Sequence, residues 1–173
     1  HSFWEIFPPV SLANTRADFV FHGRTSHASA SPHLGRSSLD AVELMSVGVN
    51  YMREHMPSDA RVHYAVLDTG GIAPNVVQSY ARVRYSIRAN ELDGMRELIE
   101  RVRKIAEGAA LMTETRMEMK VISAVSNILG NRPLEEAMQT MLEELGPPPF
   151  DEADRDFARK IRATLTEQDL AAP

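Results

Sequence analysis

Val77-Gln-Ser-Tyr-Ala-Arg-Val-Arg-Tyr-Ser-Ile-Arg-Ala89 alternates over its whole length. Val77, Ala81, Val83, Tyr85, Ile87 and Ala89 share one side of an extended chain; Gln78, Tyr80, Arg82, Arg84, Ser86 and Arg88 share the other. A period of two belongs to a β-strand with one face on a core and one in water. The three arginines on the wet side are either solvated surface charge, which is commonplace, or binding groups.

The same period recurs on both sides of this strand. At Thr15–His22, Ala17, Phe19 and Phe21 alternate with Arg16, Asp18 and His22. Arg61–Asp68 sets Val62, Tyr64 and Val66 on one side, and Glu114–Ser123 interleaves Met117, Met119 and Val121 with charges. Between the first two strands the period changes. Leu39, Val42, Met45, Val49, Met52 and Met56 recur three or four apart, as one face of a helix does. Ser37 or Ser38 caps it and Pro57 stops it. Leu92, Met95, Leu98, Ile99, Val102, Ile105 and Ala109 trace a second helix, with Asn90 as its cap. Thr69–Asn75 is a turn in which Gly70 and Gly71 suit positive φ.

The order is β-α-β-β-α-β, and both parallel crossovers pass through a helix with right-handed connections. This predicts an α+β, ferredoxin-like sandwich: one four-stranded antiparallel sheet with two helices on one face. Two further amphipathic helices follow. One starts at Pro133 and stops at Gly146; the other runs from Asp151 with Phe157, Ile161 and Leu165 as its stripe. They lie outside the ferredoxin-like unit.

At 173 residues the chain suits one ordinary core with an appendage. A net charge of −5 with dispersed basic residues argues against nucleic acid as a partner. Cysteine is absent, which excludes a disulfide framework and a thiolate metal cluster. No apolar run has the length of a membrane span, and no basic-then-apolar leader opens the chain. These features point to the cytoplasm. Phe3, Trp4 and Phe7 have no element of their own to be buried against. Both ends read as cuts out of a longer protein.

Chemistry concentrates in the loop Arg24–Ser38, which is crowded with small residues and carries His27 and His33. A loop held between rigid elements is where binding groups tend to lie; the plainer reading is a compact loop whose imidazoles bond its own backbone. The chain has no GxGxxG, P-loop, GxSxG or HExxH. His22, His27 and His33 have no Asp or Glu beside them in the loop, which argues against a metal cluster. What remains is a set of donors without a nucleophile: His27, Asn75 and Arg88. Such groups bind and stabilise negative charge but do not activate water. They make half an active site.

Phe21-His-Gly-Arg-Thr-Ser-His27-Ala-Ser-Ala-Ser-Pro-His33-Leu-Gly35 resembles the loop of the lid, or dimerisation, domain in metal-dependent amidohydrolases of the M20 peptidase family. Gly71-Ile-Ala-Pro-Asn75 and Arg84-Tyr-Ser-Ile-Arg88-Ala are similar to that family's turn and the strand after it. Ser31-Pro-His-Leu-Gly-Arg-Ser-Ser-Leu-Asp-Ala-Val42, Arg61-Val-His-Tyr-Ala65 and Lys104-Ile-Ala-Glu-Gly-Ala-Ala-Leu-Met-Thr-Glu-Thr115 resemble the B-type branch of the aminobenzoyl-glutamate utilisation proteins.

The resemblance implies a lid inserted in a catalytic domain that holds two divalent metals, zinc or manganese, with none in this chain. On that basis residues 1–13 are a linker, 14–124 the lid and dimerisation domain, and 125–173 a helical extension leading back. It further implies a homodimer, a small-molecule amide substrate, an inactive isolated chain, and a His27 that stabilises the tetrahedral intermediate in the partner's site. Asn75 and Arg88 match substrate-holding positions, Arg88 at a carboxylate. His33 matches a structural position, and His1 matches either a metal ligand or nothing. Arg36-Ser-Ser38 stands where other branches carry Asp-Pro, which favours the aminobenzoyl-glutamate group. The alternative is a stand-alone ferredoxin-like association or small-ligand module without catalysis.

Overall fold

A computed structural model describes residues 11–171. The expectations for His1, Phe3, Trp4 and Phe7 lie outside them. The elements run β1 (Ala13–His22), α1 (Ser38–Met52), β2 (Arg61–Asp68), β3 (Tyr80–Ala89), α2 (Leu92–Thr113) and β4 (Arg116–Val125). The sheet order is β2-β3-β1-β4, and every neighbouring pair is antiparallel. β1 and β2 flank β3 and so run parallel to each other; β3 and β4 do the same around β1. A helix joins each parallel pair. This is the ferredoxin-like arrangement that the alternation predicts.

Phe19, Phe21, Val83, Tyr85 and Ile87 fill one face of the sheet and meet Val42, Met45 and Val49 of α1 and Met95, Val102 and Ala106 of α2. The Phe19 and Tyr85 rings pack edge to face with centroids 5.7 Å apart. The edges are less covered than the alternation suggests. On β2, Val62 is buried but Tyr64 and Val66 are exposed, because an open groove separates this edge strand from α1. On β4, Met117 and Met119 pack on the core while Val121 is 59% exposed, next to a register shift against β1.

Local chemistry sets the boundaries. Ser37, not the buried Ser38, caps α1: its Oγ accepts the Asp40 N–H at 3.1 Å. The expected Asn90 cap of α2 is displaced by one residue. Glu91 holds the cap position, and its carboxylate accepts from Asn127 Nδ2 at 3.1 Å instead of capping. β3 begins at Tyr80 rather than Val77, since the extended backbone before Tyr80 pairs with the histidine loop and not with a strand.

The chain divides into two compact units, one within Pro9–Leu129 and one within Gly130–Pro173. The second contains α3 (Arg132–Leu145), α4 (Glu152–Arg162) and α5 (Glu167–Ala171). Asn131 caps α3, and Asp151 with Asp154 forms a capping box on α4. The single final helix expected from the stripe is broken after Arg162. Thr166 and Asp169 exchange hydrogen bonds that start α5, and Leu165 falls between the helices. No residue of α3, α4 or α5 is buried. No described helix is long and apolar enough to cross a membrane.

Candidate functional site

The histidine loop is pinned along the chain segment that enters β3. Gly23 N–H donates to the Ser79 carbonyl at 2.8 Å, Val77 N–H to Ser26 at 3.0 Å, and Ala28 N–H to Asn75 at 2.9 Å. Arg24 and Arg36 exchange two backbone bonds across the base of the loop. Gly35 permits this closeness: a Cβ there would stand 2.5 Å from Ser26 Oγ and 2.9 Å from Val77. Gly70, at φ +83°, turns the chain back from β2, and Gly71 also adopts positive φ. The backbone thus fixes the loop although most of its side chains are exposed.

This pinning places His27 opposite Val76 in an antiparallel bridge, so His27 and Asn75 are neighbours. Both are exposed. The His27 ring does bond its own loop, as the plainer reading has it, but through one nitrogen only. Nδ1 accepts the Ala30 N–H at 3.1 Å and the Ser29 N–H at 3.3 Å. With Nδ1 accepting, the neutral ring carries its proton on Nε2, which is left as an outward donor. The Asn75 amide makes no hydrogen bond within the described residues, and its NH2 is a second free donor. Sequence reasoning missed the part played by Ser29 and Ala30. Its only trace is the run of small residues after His27, which lets the chain fold back on the ring.

His33 lies in the 3-10 turn Pro32–Leu34. Its carbonyl, not its imidazole, is engaged, accepting from Arg36 Nη1 at 3.2 Å. Arg36 also pairs with Glu114 at 2.9 Å. Glu114 is the sole non-glycine described residue with positive φ, at 52°, and it ends α2 in the left-handed conformation. The carboxylate that tethers the loop is therefore carried on a backbone shape that ordinarily favours glycine.

Arg88 stands apart from His27 and Asn75. It lies near the far end of β3, eight residues beyond Tyr80, or roughly 26 Å along a strand. The three arginines of β3 also differ in kind. Arg84 grips Asp18 with two bonds, 2.6 and 3.0 Å, and Arg82 stands 3.9 Å from the same carboxylate. Asp18 is buried, and its hydrogen bond raises the Arg84 pKa against the opposing effect of desolvation. Arg82 and Arg84 are thus structural partners of a buried acid. Arg88 has no acid: its Nε is occluded and unpaired, between Asn14 on β1 and Arg61 on β2.

Among the described residues, no three His, Cys, Asp or Glu side chains converge in a way that holds a metal ion. The arrangement offers donors for negative charge at two ends of one sheet.

A family model described as the peptidase dimerisation domain, of M20 type, matches residues 14–112. The chain is 49% identical over 168 residues to the B-type subunit of the p-aminobenzoyl-glutamate hydrolase of Escherichia coli (strain K12), covering 97% of this chain and 35% of that protein. It is 32% identical over 93 residues to an Xaa-Arg dipeptidase of Mus musculus, covering 54% of this chain and 21% of that one. The crystal structure of an aminobenzoyl-glutamate utilization protein from Klebsiella pneumoniae superposes with a TM-score of 0.62 at 25% identity, over 72% of this chain and 32% of that one. The chain thus spans about a third of the length of the first relative and of this solved structure. The match takes in β1, the histidine loop, both layers of the sandwich and the Arg88 strand, and on it the chain belongs to the M20 peptidase dimerisation-domain family.

Proposed function

We propose that this chain is the lid and dimerisation domain of a metal-dependent amidohydrolase that cleaves aryl- or acyl-amino-acid amides such as aminobenzoyl-glutamate. The observation that carries the reading is the pair of free donors on the pinned loop, His27 Nε2–H beside the Asn75 amide. Donors held ready for a developing oxyanion stabilise the tetrahedral state without having to reorganise. Water activation falls to groups outside these 173 residues, and the isolated chain is inactive.

The distance between the two ends of β3 supports a shared site. Roughly 26 Å of strand separates the ends, whereas only a few bonds separate a scissile carbonyl from the α-carboxylate of the same amino-acid amide. One substrate therefore meets His27 and Asn75 of one subunit and Arg88 of the other. Subunits join through the open edge of β2, where Tyr64, Val66 and Leu67 are exposed beside Val47 and Tyr51 of α1. An unpaired strand edge with apolar neighbours suits a two-fold contact. A second copy completes the pair in this reading. One relative is a single lettered subunit of its hydrolase, which favours a second possibility, a related but different subunit as the partner. Mass measurement of the native assembly separates the two.

Complementation tests the shared site. His27→Ala in the full-length enzyme lowers kcat by about a hundred- to a thousandfold with little change in KM, as loss of one oxyanion donor does. The variant is then mixed with a subunit whose catalytic domain is inactivated. Activity returns, because the intact centre in the His27→Ala chain receives His27 from its partner. Proven subunit exchange without recovered activity would sink the reading.

A further inference from the structure

The strand register puts more positive charge around Arg88 than one carboxylate needs. Asn14, Arg88 and Arg61 form one row across β1, β3 and β2; Arg16, Ser86 and His63 form the next. All six side chains belong to the face away from the helices, since Ile87 and Val62 between them are buried under α1 and α2. Neither row contains a carboxylate. The acid one row further on, Asp18, is already held by Arg84 and Arg82. Arg61 donates only to the carbonyls of Ser58 and Ala60, and Arg16 has no partner among the described residues.

Three guanidinium groups that cannot shed their protons are thus gathered in two rows, with Arg61 directly opposite Arg88. Like charges opposite one another destabilise a sheet. Nothing in the described fold offsets that cost. The short side chains of Ser86 and Ala65 leave a depression of about 270 Å³ on this face, bordered by Arg16, His63 and Arg84. Asn14 Oδ1 accepts the Ser86 hydroxyl at 3.0 Å, which leaves the Asn14 NH2 free beside it.

We propose that this basin binds a second carboxylate of the substrate, so that Arg16 and His63 select acidic amino-acid amides over neutral ones. The proposal rests on the amidohydrolase reading and on Arg88 as the seat of the α-carboxylate. Adjacent rows on one face are two residues apart, roughly 7 Å. An acidic side chain spans that distance from its own α-carboxylate. A dicarboxylate lies with one group in the Arg88 fork and the other over Ser86. A monocarboxylate leaves Arg16 unpaired.

The test is equilibrium binding of N-benzoyl-glutamate and N-benzoyl-glutamine to the metal-free, full-length protein, followed by kcat/KM for both with metal restored. The wild type binds the glutamate ligand about tenfold or more tightly than the glutamine one, the range of a charge-assisted pair. Arg16→Gln collapses that ratio about tenfold, and Ser86→Asp, which puts a carboxylate in the basin, abolishes it. A ratio unmoved by either variant, or an equal loss for both ligands, overturns the proposal. Should Arg16→Gln fail to fold, Ser86→Asp and His63→Gln carry the same readout. A binding ratio that shifts as expected without any turnover leaves the basin standing and removes the amidohydrolase reading.

Discussion

The two faces of the sheet are built from the same four strands and solve different problems. The face under α1 and α2 is apolar: Phe19, Tyr85 and Ile87 are fully buried, and the Tyr85 hydroxyl lies 3.3 Å from Ser46 Oγ. The outer face is closed only in its middle. Around Asp18 the arginines are paired, and buried Val20 lies beside them; around Arg88 they are not. Residues that stabilise the fold and residues available for binding can therefore sit four positions apart on one strand. What separates them is whether a neighbouring strand supplies an acid.

The comparison breaks most readily at the covered face. Phe19→Ala removes a ring packed against Tyr85 and leaves a cavity, and is expected to cost about 3–5 kcal/mol in denaturant titration. A loss below 1 kcal/mol would mean that the helices do not seal this face. Alkaline pH probes the same layer. Burial pushes the Tyr85 hydroxyl up to about 12 from its ordinary 10.0. The folded state keeps this phenol neutral while the unfolded chain ionises it. The contribution is therefore intact below pH 10 and is lost as pH rises through 12. Stability falls by on the order of 2–3 kcal/mol across that window, and Tyr85→Phe flattens the fall. A Phe variant with the same alkaline slope would assign the loss to other groups.

Asp18→Ala sharpens the contrast on the outer face. It leaves Arg84 facing a buried gap and is expected to cost about 1.5–3 kcal/mol, the range for a hydrogen bond to a charged group. A change under 0.5 kcal/mol would make the whole outer face a solvated surface. The smallest stability effect belongs to Arg88→Gln. With Arg61 directly opposite, removal of the charge leaves stability within about 0.5 kcal/mol or raises it slightly. In the full-length enzyme the same substitution raises KM for a carboxylate substrate about ten- to a hundredfold. A variant that loses stability and keeps KM would turn Arg88 into a structural residue.

The C-terminal helices show how far a pattern can carry. Leu134 and Phe157 sit on amphipathic stripes as clear as those of α1 and α2, yet they are 64% and 65% exposed. A stripe records that one side of a helix seeks apolar company. It does not record which surface supplies it.

By itself the amino-acid sequence determined the order and type of the elements in the sandwich, because periods of two and of 3.6 act over neighbouring residues. It also singled out His27, Asn75 and Arg88 by residue type and motif. It left open which arginine was paired, which His27 nitrogen was free, and that Arg88 stands far from His27. Those are questions of contact between residues distant in the chain: Asp18 with Arg84, Arg61 with Arg88, Arg36 with Glu114. Strand register and loop closure settle such contacts, and both are set only when the sheet assembles on its helices, since a shift of one residue in pairing would turn Asp18, Arg61, Arg84 or Arg88 to the other face.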